Sequence, residues 1–239
     1  MSGVELLISV TGAHEVGAAV AGGADIVDVK NPAEGSLGAG FPHVIRRVRA
    51  LTPAETPVSA AIGDFPALPG TAALAAAGAA ACGVQYVKVG LLGPRDHDQA
   101  FALLSAVCRA VRDVSPGARV MATAYADAHA TGSLPPLDLP AVAAEAAADG
   151  CMIDTAVKAG TTLFDELAPA DLASFIEDCR DKGLLCALAG SLRAADIPRL
   201  RELRPDIVGF RGAACADGRR DGAVDHAAVR RLKDLLAQS

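Results

Sequence analysis

Short runs dominated by Val, Ile, Leu and Ala recur along the chain at 4–10, 24–30, 57–62, 84–89, 118–123, 151–154, 184–189 and 206–210. Longer amphipathic stretches separate them, and helices are predicted over 41–51, 95–114, 169–182 and 225–236. The small-residue run 72–82 also reads as a packed helix, because it is too short to cross a bilayer core of ~30 Å. Continuous apolar strands alternating with helices describe a parallel sheet covered on its outer face. Eight such units predict an α/β fold, a (β/α)8 TIM barrel, formed as a single catalytic domain over 1–239. An open, doubly wound sheet is the runner-up, but the GxGxxG fingerprint expected after its first strand is absent. In either architecture ligands bind at the carboxyl ends of the strands, so the residues just past each run are where chemistry is expected.

Composition narrows the partners. The 239 residues suit one barrel, and 51% hydrophobic against 21% charged residues sets bulk disorder aside. An aromatic share of 3% with no Trp speaks against stacking platforms for bases, and a net charge of −6 disfavours nucleic acid or an anionic membrane. Six cysteines form no CxxC pair, and the start MSGVELLISV lacks the basic and long apolar regions of a signal peptide. A reduced, cytoplasmic protein is expected. His14, His43, His97, His129 and His226 show neither HxxxH nor HxH spacing, so no metal site is predicted. Cys215 can face a site, although a small buried hydrophobe is the plainer reading.

Only five of the 22 basic side chains are lysine. Lys182 and Lys233 sit on helices, where a solvated cation near a C-terminus is unremarkable. Lys30, Lys88 and Lys158 fall at or just beyond the ends of strands two, four and six, and alternate strands feed the same layers of a barrel. A lysine amine can lose its proton when desolvated or placed beside other cations, and the free amine attacks carbonyls; arginine can do neither. Clustered lysines therefore suit imine chemistry on a carbonyl compound. Ion pairing with Asp28 or Asp154 is the bland alternative. By strand alternation Asp28 and Lys30 share a face, bringing a carboxylate beside a nucleophile.

Past strand seven the chain reads Gly190-Ser191, and past strand eight Arg211-Gly212. Many barrels bind phosphate there, with small residues letting backbone N–H groups approach the anion and Arg211 adding charge. Ordinary turn chemistry explains such glycines equally well. The loop 31–39 after Lys30 is a candidate lid or substrate-positioning loop, with a plain connector as the alternative. Asp64 and the stretch Tyr125-Ala126-Asp127 can handle protons, or simply be solvated loop residues.

The segments GGADIVDVKNPAEGSLGA, KVGLLG, YADAH, IDTAVKAGTTLFD, CALAGSL and DIVGFRGAAC together resemble the (5-formylfuran-3-yl)methyl phosphate synthases of methanofuran biosynthesis, almost end to end. The resemblance implies a barrel enzyme that condenses two glyceraldehyde 3-phosphates, without a cofactor, into a furan aldehyde phosphate. It makes Lys30 of DVKNP the Schiff-base residue and Lys88 of KVG the proton acceptor, with Asp28, Asp154 and Lys158 at further site positions. The chain departs from the family at its N-terminus, in its Ala-rich helices and over 131–139. A small phosphorylated aldehyde is the expected partner, and a homo-oligomer the expected assembly.

Overall fold

A computed structural model describes residues 3–158 and 160–238. Eight parallel strands close in sequence order: β1 Glu5–Val10, β2 Ile26–Val29, β3 Val58–Asp64, β4 Tyr86–Gly90, β5 Arg119–Tyr125, β6 Gly150–Asp154, β7 Leu185–Leu188 and β8 Ile207–Phe210, with β8 returning to β1. The expected (β/α)8 barrel is therefore the observed one, and every strand boundary lies within two residues of its expected place. Around it run α1 Val16–Gly22, α2 Pro42–Leu51, α3 Pro69–Ala80, α4 His97–Val114, α5 Ala128–Thr131, α6 Leu139–Glu145, α7 Leu163–Glu166, α8 Pro169–Asp181, α9 Ile197–Leu203 and α10 His226–Ala237.

Strand residues are buried on both faces, which is why the strands read as continuous apolar runs. Outward-facing side chains pack beneath the helices, while Leu7, Ile26, Tyr86, Met121, Met152, Ala187 and Ile207 fill the barrel interior. This interior layer is a floor, so the space above it opens only at the carboxyl ends of the strands.

The amino ends are fastened by one device used four times. A polar residue stands immediately before each even-numbered strand and accepts a hydrogen bond from a backbone N–H of a neighbouring odd strand. Asp25 accepts from Leu6 at 2.7 Å, Gln85 from Val58 at 2.9 Å, Asp149 from Val120 at 2.7 Å and Asp206 from Cys186 at 2.8 Å. Each such bond satisfies a donor at the start of a strand, where the ladder leaves it without a partner. Lys233, expected to be a solvated helix cation, instead pairs with Asp25 at 2.6 Å and ties α10 to the foot of β2.

Candidate active site

A cavity of ≈ 440 Å³ at the carboxyl end of the barrel is lined by Lys30, Lys88, Asp154 and Lys158 on one side and by Gly190, Ser191, Arg211 and Gly212 on the other. That volume is ordinary for a small-ligand site. Residues that the sequence placed at separate strand ends thus share one chamber.

The three lysines differ in how their charge is met. Lys88 lies on β4 and donates to the buried Asp28 carboxylate at 2.7 Å, while Ser9 donates to the same oxygen at 3.0 Å. Lys158 donates to Asp154 at 2.7 Å and to the Thr155 hydroxyl at 2.8 Å. Lys30, just past β2, has no hydrogen-bond partner for its amine among the described residues, and it is 7% exposed. Burial lowers its pKa from 10.5 to about 8; Asp154 opposes the shift and Lys88 adds to it. For Asp154 burial pushes upward, but Lys158, Lys30 and two hydrogen bonds outweigh it and hold the carboxyl down at about 2. The chamber therefore holds one uncommitted amine beside two ion pairs.

A depressed lysine pKa costs stability wherever the folded protein must keep the charge. The unfolded chain binds more protons between about pH 8 and 10.5, so this group's contribution to stability rises with pH across that window. Lys30→Met should accordingly be more stable than the parent at pH 7, by on the order of 3 kcal/mol, with the gain fading towards pH 10. Denaturant midpoints measured at both pH values check this.

The neighbouring loops are held by groups that the sequence left open. Ser36 donates to the Thr155 carbonyl at 2.8 Å, and Leu37 is fully buried, so the loop after Lys30 is pinned across to the end of β6 rather than free to swing. Asp127 accepts from the backbone N–H groups of Ala156 and Val157 at 2.7 and 2.8 Å, shaping the turn between Asp154 and Lys158. Tyr125 donates to Asp64, whose carboxyl is raised by burial against the opposing pull of that bond. The pair fits because β4 ends in Gly90, where any side chain would collide with the Asp64 carboxylate.

Gly190 and Ser191 both adopt positive φ, at 112° and 50°, and a Cβ on Gly190 would lie 3.2 Å from the Thr155 backbone nitrogen. Ser191 is thus a non-glycine residue in the left-handed region, a strained conformation that tends to be kept at ligand sites. Arg211 differs from expectation. It lines the cavity, but its guanidinium donates to Glu15 at 2.8 Å and to the carbonyls of Ser9, Arg220 and Gly222 at 3.0, 2.9 and 2.7 Å. Four of its five N–H donors are thus met by protein acceptors, and these bonds brace the last loop. Glu15, which sequence reasoning missed, also accepts from Thr11 and Val224, linking the first and last strand ends. Cys215 is buried and donates to the carbonyls of Arg211 and Gly222, as suits the plainer reading.

Among the described residues no group of three or more His, Cys, Asp or Glu side chains could hold a metal ion, and no helix is long and apolar enough to cross a membrane.

The description 4-HFC-P synthase belongs to a protein family whose model matches residues 6–233. The chain belongs to this family. It is 53% identical over 232 residues to the (5-formylfuran-3-yl)methyl phosphate synthase of Methanothermobacter thermautotrophicus, covering 97% of this chain and 98% of that one. The protein of the same name from Methanocaldococcus jannaschii is 49% identical over 231 residues, covering 96% and 98%. Solved structures share the fold at low identity. KGPDC from Streptococcus mutans superposes with a TM-score of 0.68 at 14% identity, covering 98% of this chain and 97% of its own. A 3-hexulose-6-phosphate synthase from Salmonella typhimurium gives 0.63 at 18%, covering 98% of both chains. Membership of the family makes this chain an enzyme of the same synthase kind as its relatives.

Proposed function

We propose that this chain is a lyase that condenses two molecules of glyceraldehyde 3-phosphate through an imine on Lys30, giving (5-formylfuran-3-yl)methyl phosphate, one inorganic phosphate and two waters. The observation that carries the reading is the Lys30 amine, buried in the cavity with no hydrogen-bond partner among the described residues and lowered to about 8, while both other cavity lysines are tied to carboxylates. Only an uncharged amine attacks a carbonyl, and burial brings Lys30 closer to that form near neutral pH. The atoms balance without a redox step: two C3 units minus phosphate and two waters leave the C6 furan.

Attack by the Lys30 nitrogen on the aldehyde carbon of one triose expels water and leaves a protonated imine. That cation withdraws electrons from the adjacent carbon, whose proton can then leave to give an enamine able to attack the second aldehyde. Lys88, which lines the same cavity, is the group assigned to take that proton as a free amine. Its 2.7 Å bond to Asp28 holds that amine in place at the cavity wall. Asp154 and Lys158, held in a fixed pair, face the same space and serve the later dehydrations. Gly190, Ser191 and Gly212 present backbone N–H groups to a substrate phosphate.

The test is to incubate the protein with glyceraldehyde 3-phosphate alone and to identify the product by mass spectrometry and NMR. A furan aldehyde phosphate supports the reading, and an open-chain C6 sugar phosphate as end product replaces it with an aldolase. Borohydride trapping under subsaturating substrate should rise about tenfold per pH unit below 8 and level off above it, since the amine gains its free form through the lowered pKa. A trapping rate flat from pH 6 to 9 would remove Lys30 from the nucleophile's role.

A further inference from the structure

Among the described residues lining the cavity, Lys30, Arg193 and Arg220 are the cations with no ion pair, and Lys30 is the proposed nucleophile. Lys88 is met by Asp28, Lys158 by Asp154 and Arg211 by Glu15. Arg193, at the rim, is exposed and already donates to the Gly160 carbonyl at 3.2 Å. Arg220 remains. It lines the cavity with Gly190, Ser191 and Gly212, and its Nη2 is shut off from solvent with no hydrogen-bond partner among the described residues. A guanidinium N–H that meets neither water nor an acceptor is costly, and such groups are kept chiefly where a ligand completes them.

The adjacent arginine shows that this placement is not a general property of the loop. Arg219 turns outward and forms two hydrogen bonds to Asp221, at 3.0 and 2.7 Å, with its side chain 70% exposed. Arg220 turns inward, and its backbone is fixed there because Arg211 donates to its carbonyl at 2.9 Å and to that of Gly222 at 2.7 Å. Gly212 completes the seat, since a Cβ there would stand 3.1 Å from the Gly218 carbonyl and 3.6 Å from the Arg220 nitrogen. The loop can therefore lie directly on the phosphate strand end.

We propose that Arg220 is the charged ligand of the substrate phosphate, and that the Glu15–Arg211 pair is the strut that positions it. This rests on the phosphorylated substrate named under Proposed function, and it moves the charge assigned from sequence to Arg211 onto a residue nine positions later. A guanidinium fork matches phosphate oxygens, and an anion here neutralises a charge that the protein itself leaves unmatched.

The test uses inorganic phosphate as the probe, titrated calorimetrically into the parent, Arg220→Ala, Arg220→Lys and Arg219→Ala proteins, alongside KM for glyceraldehyde 3-phosphate and borohydride trapping of unphosphorylated glyceraldehyde. Loss of one charge-assisted ligand corresponds to about 10–100-fold in affinity. Arg220→Ala should weaken phosphate binding and raise KM by that factor, while glyceraldehyde is trapped as in the parent. Arg220→Lys should recover part of the loss, and Arg219→Ala should stay within twofold of the parent. Phosphate affinity unchanged in Arg220→Ala overturns the proposal, as does an equal loss for glyceraldehyde and its phosphate. A parent that binds phosphate through Arg220 yet makes no furan would sink the proposed function and leave this assignment standing. A parent that makes the furan with an Arg220→Ala KM equal to its own would do the reverse.

Discussion

Lys30→Arg should be as inactive as Lys30→Ala, with turnover down by on the order of 10⁴-fold or more, the scale seen when a covalent nucleophile is removed. Arginine retains the positive charge and most of the length, so any role that Lys30 plays as a point charge survives the exchange. Its guanidinium keeps its proton and forms no imine. The site sharpens this contrast, because among the described residues the Lys30 amine makes no hydrogen bond to a carboxylate that the exchange would break. Borohydride with substrate should add a reduced triose mass to the Lys30 peptide of the parent and to neither variant. An Arg variant with a tenth of parental activity, or an adduct found on Lys88, would defeat the assignment.

Lys88→Ala should separate imine formation from the proton transfers that come after it. Turnover is expected to fall about 10²–10⁴-fold, as for loss of a positioned acid–base group, while substrate is still trapped on Lys30. The substitution also strands Asp28. That carboxylate is fully buried, its second oxygen has no donor among the described residues, and only the Ser9 hydroxyl remains to it. Removing one partner of a buried pair costs about 3–5 kcal/mol, so Lys88→Ala should unfold at markedly lower denaturant concentration. Pairing Lys88→Met with Asp28→Asn removes both charges and should restore much of the stability without restoring turnover. If the double variant regains activity along with stability, Lys88 is a structural cation and the proton acceptor lies elsewhere.

The barrel was legible because its strands are buried on both faces, which writes each one as an unbroken apolar run. The helices over 42–51, 97–114, 169–181 and 226–237 were equally plain, since each is long enough to show a periodic face. Short helices such as Ala128–Thr131 and Leu163–Glu166 were not, because a single turn carries no period. Among site residues, the lysines stood out because this chain otherwise uses arginine and because they sit at strand ends. What the sequence could not give for Arg211 was its partner inside the protein, because a charge beside a glycine-bearing loop looks the same with or without one. That partner, Glu15, is 196 positions away in sequence and carries no local signal. Arg220 could have been suspected from two adjacent arginines in a glycine-bearing loop just past the last strand, but which of the two turns inward is decided only by folding.

The four fastenings at the foot of the even strands also set a scale of height inside the barrel. Lys30, Asp154 and Arg211 each stand five residues beyond the residue that anchors their strand, whereas Asp28 and Lys88 stand three beyond theirs. At about 3.3 Å per residue along strands tilted by about 36° from the barrel axis, the second set sits roughly 5 Å deeper than the first. The cavity wall is therefore layered, with Lys30, Asp154 and Arg211 in an upper tier and the Asp28–Lys88 ion pair in the tier below. Height in this molecule is a count along the chain from a fixed datum. Inserting two residues above an anchor lifts a group by one tier with its facing preserved, whereas inserting one turns it out of the barrel altogether.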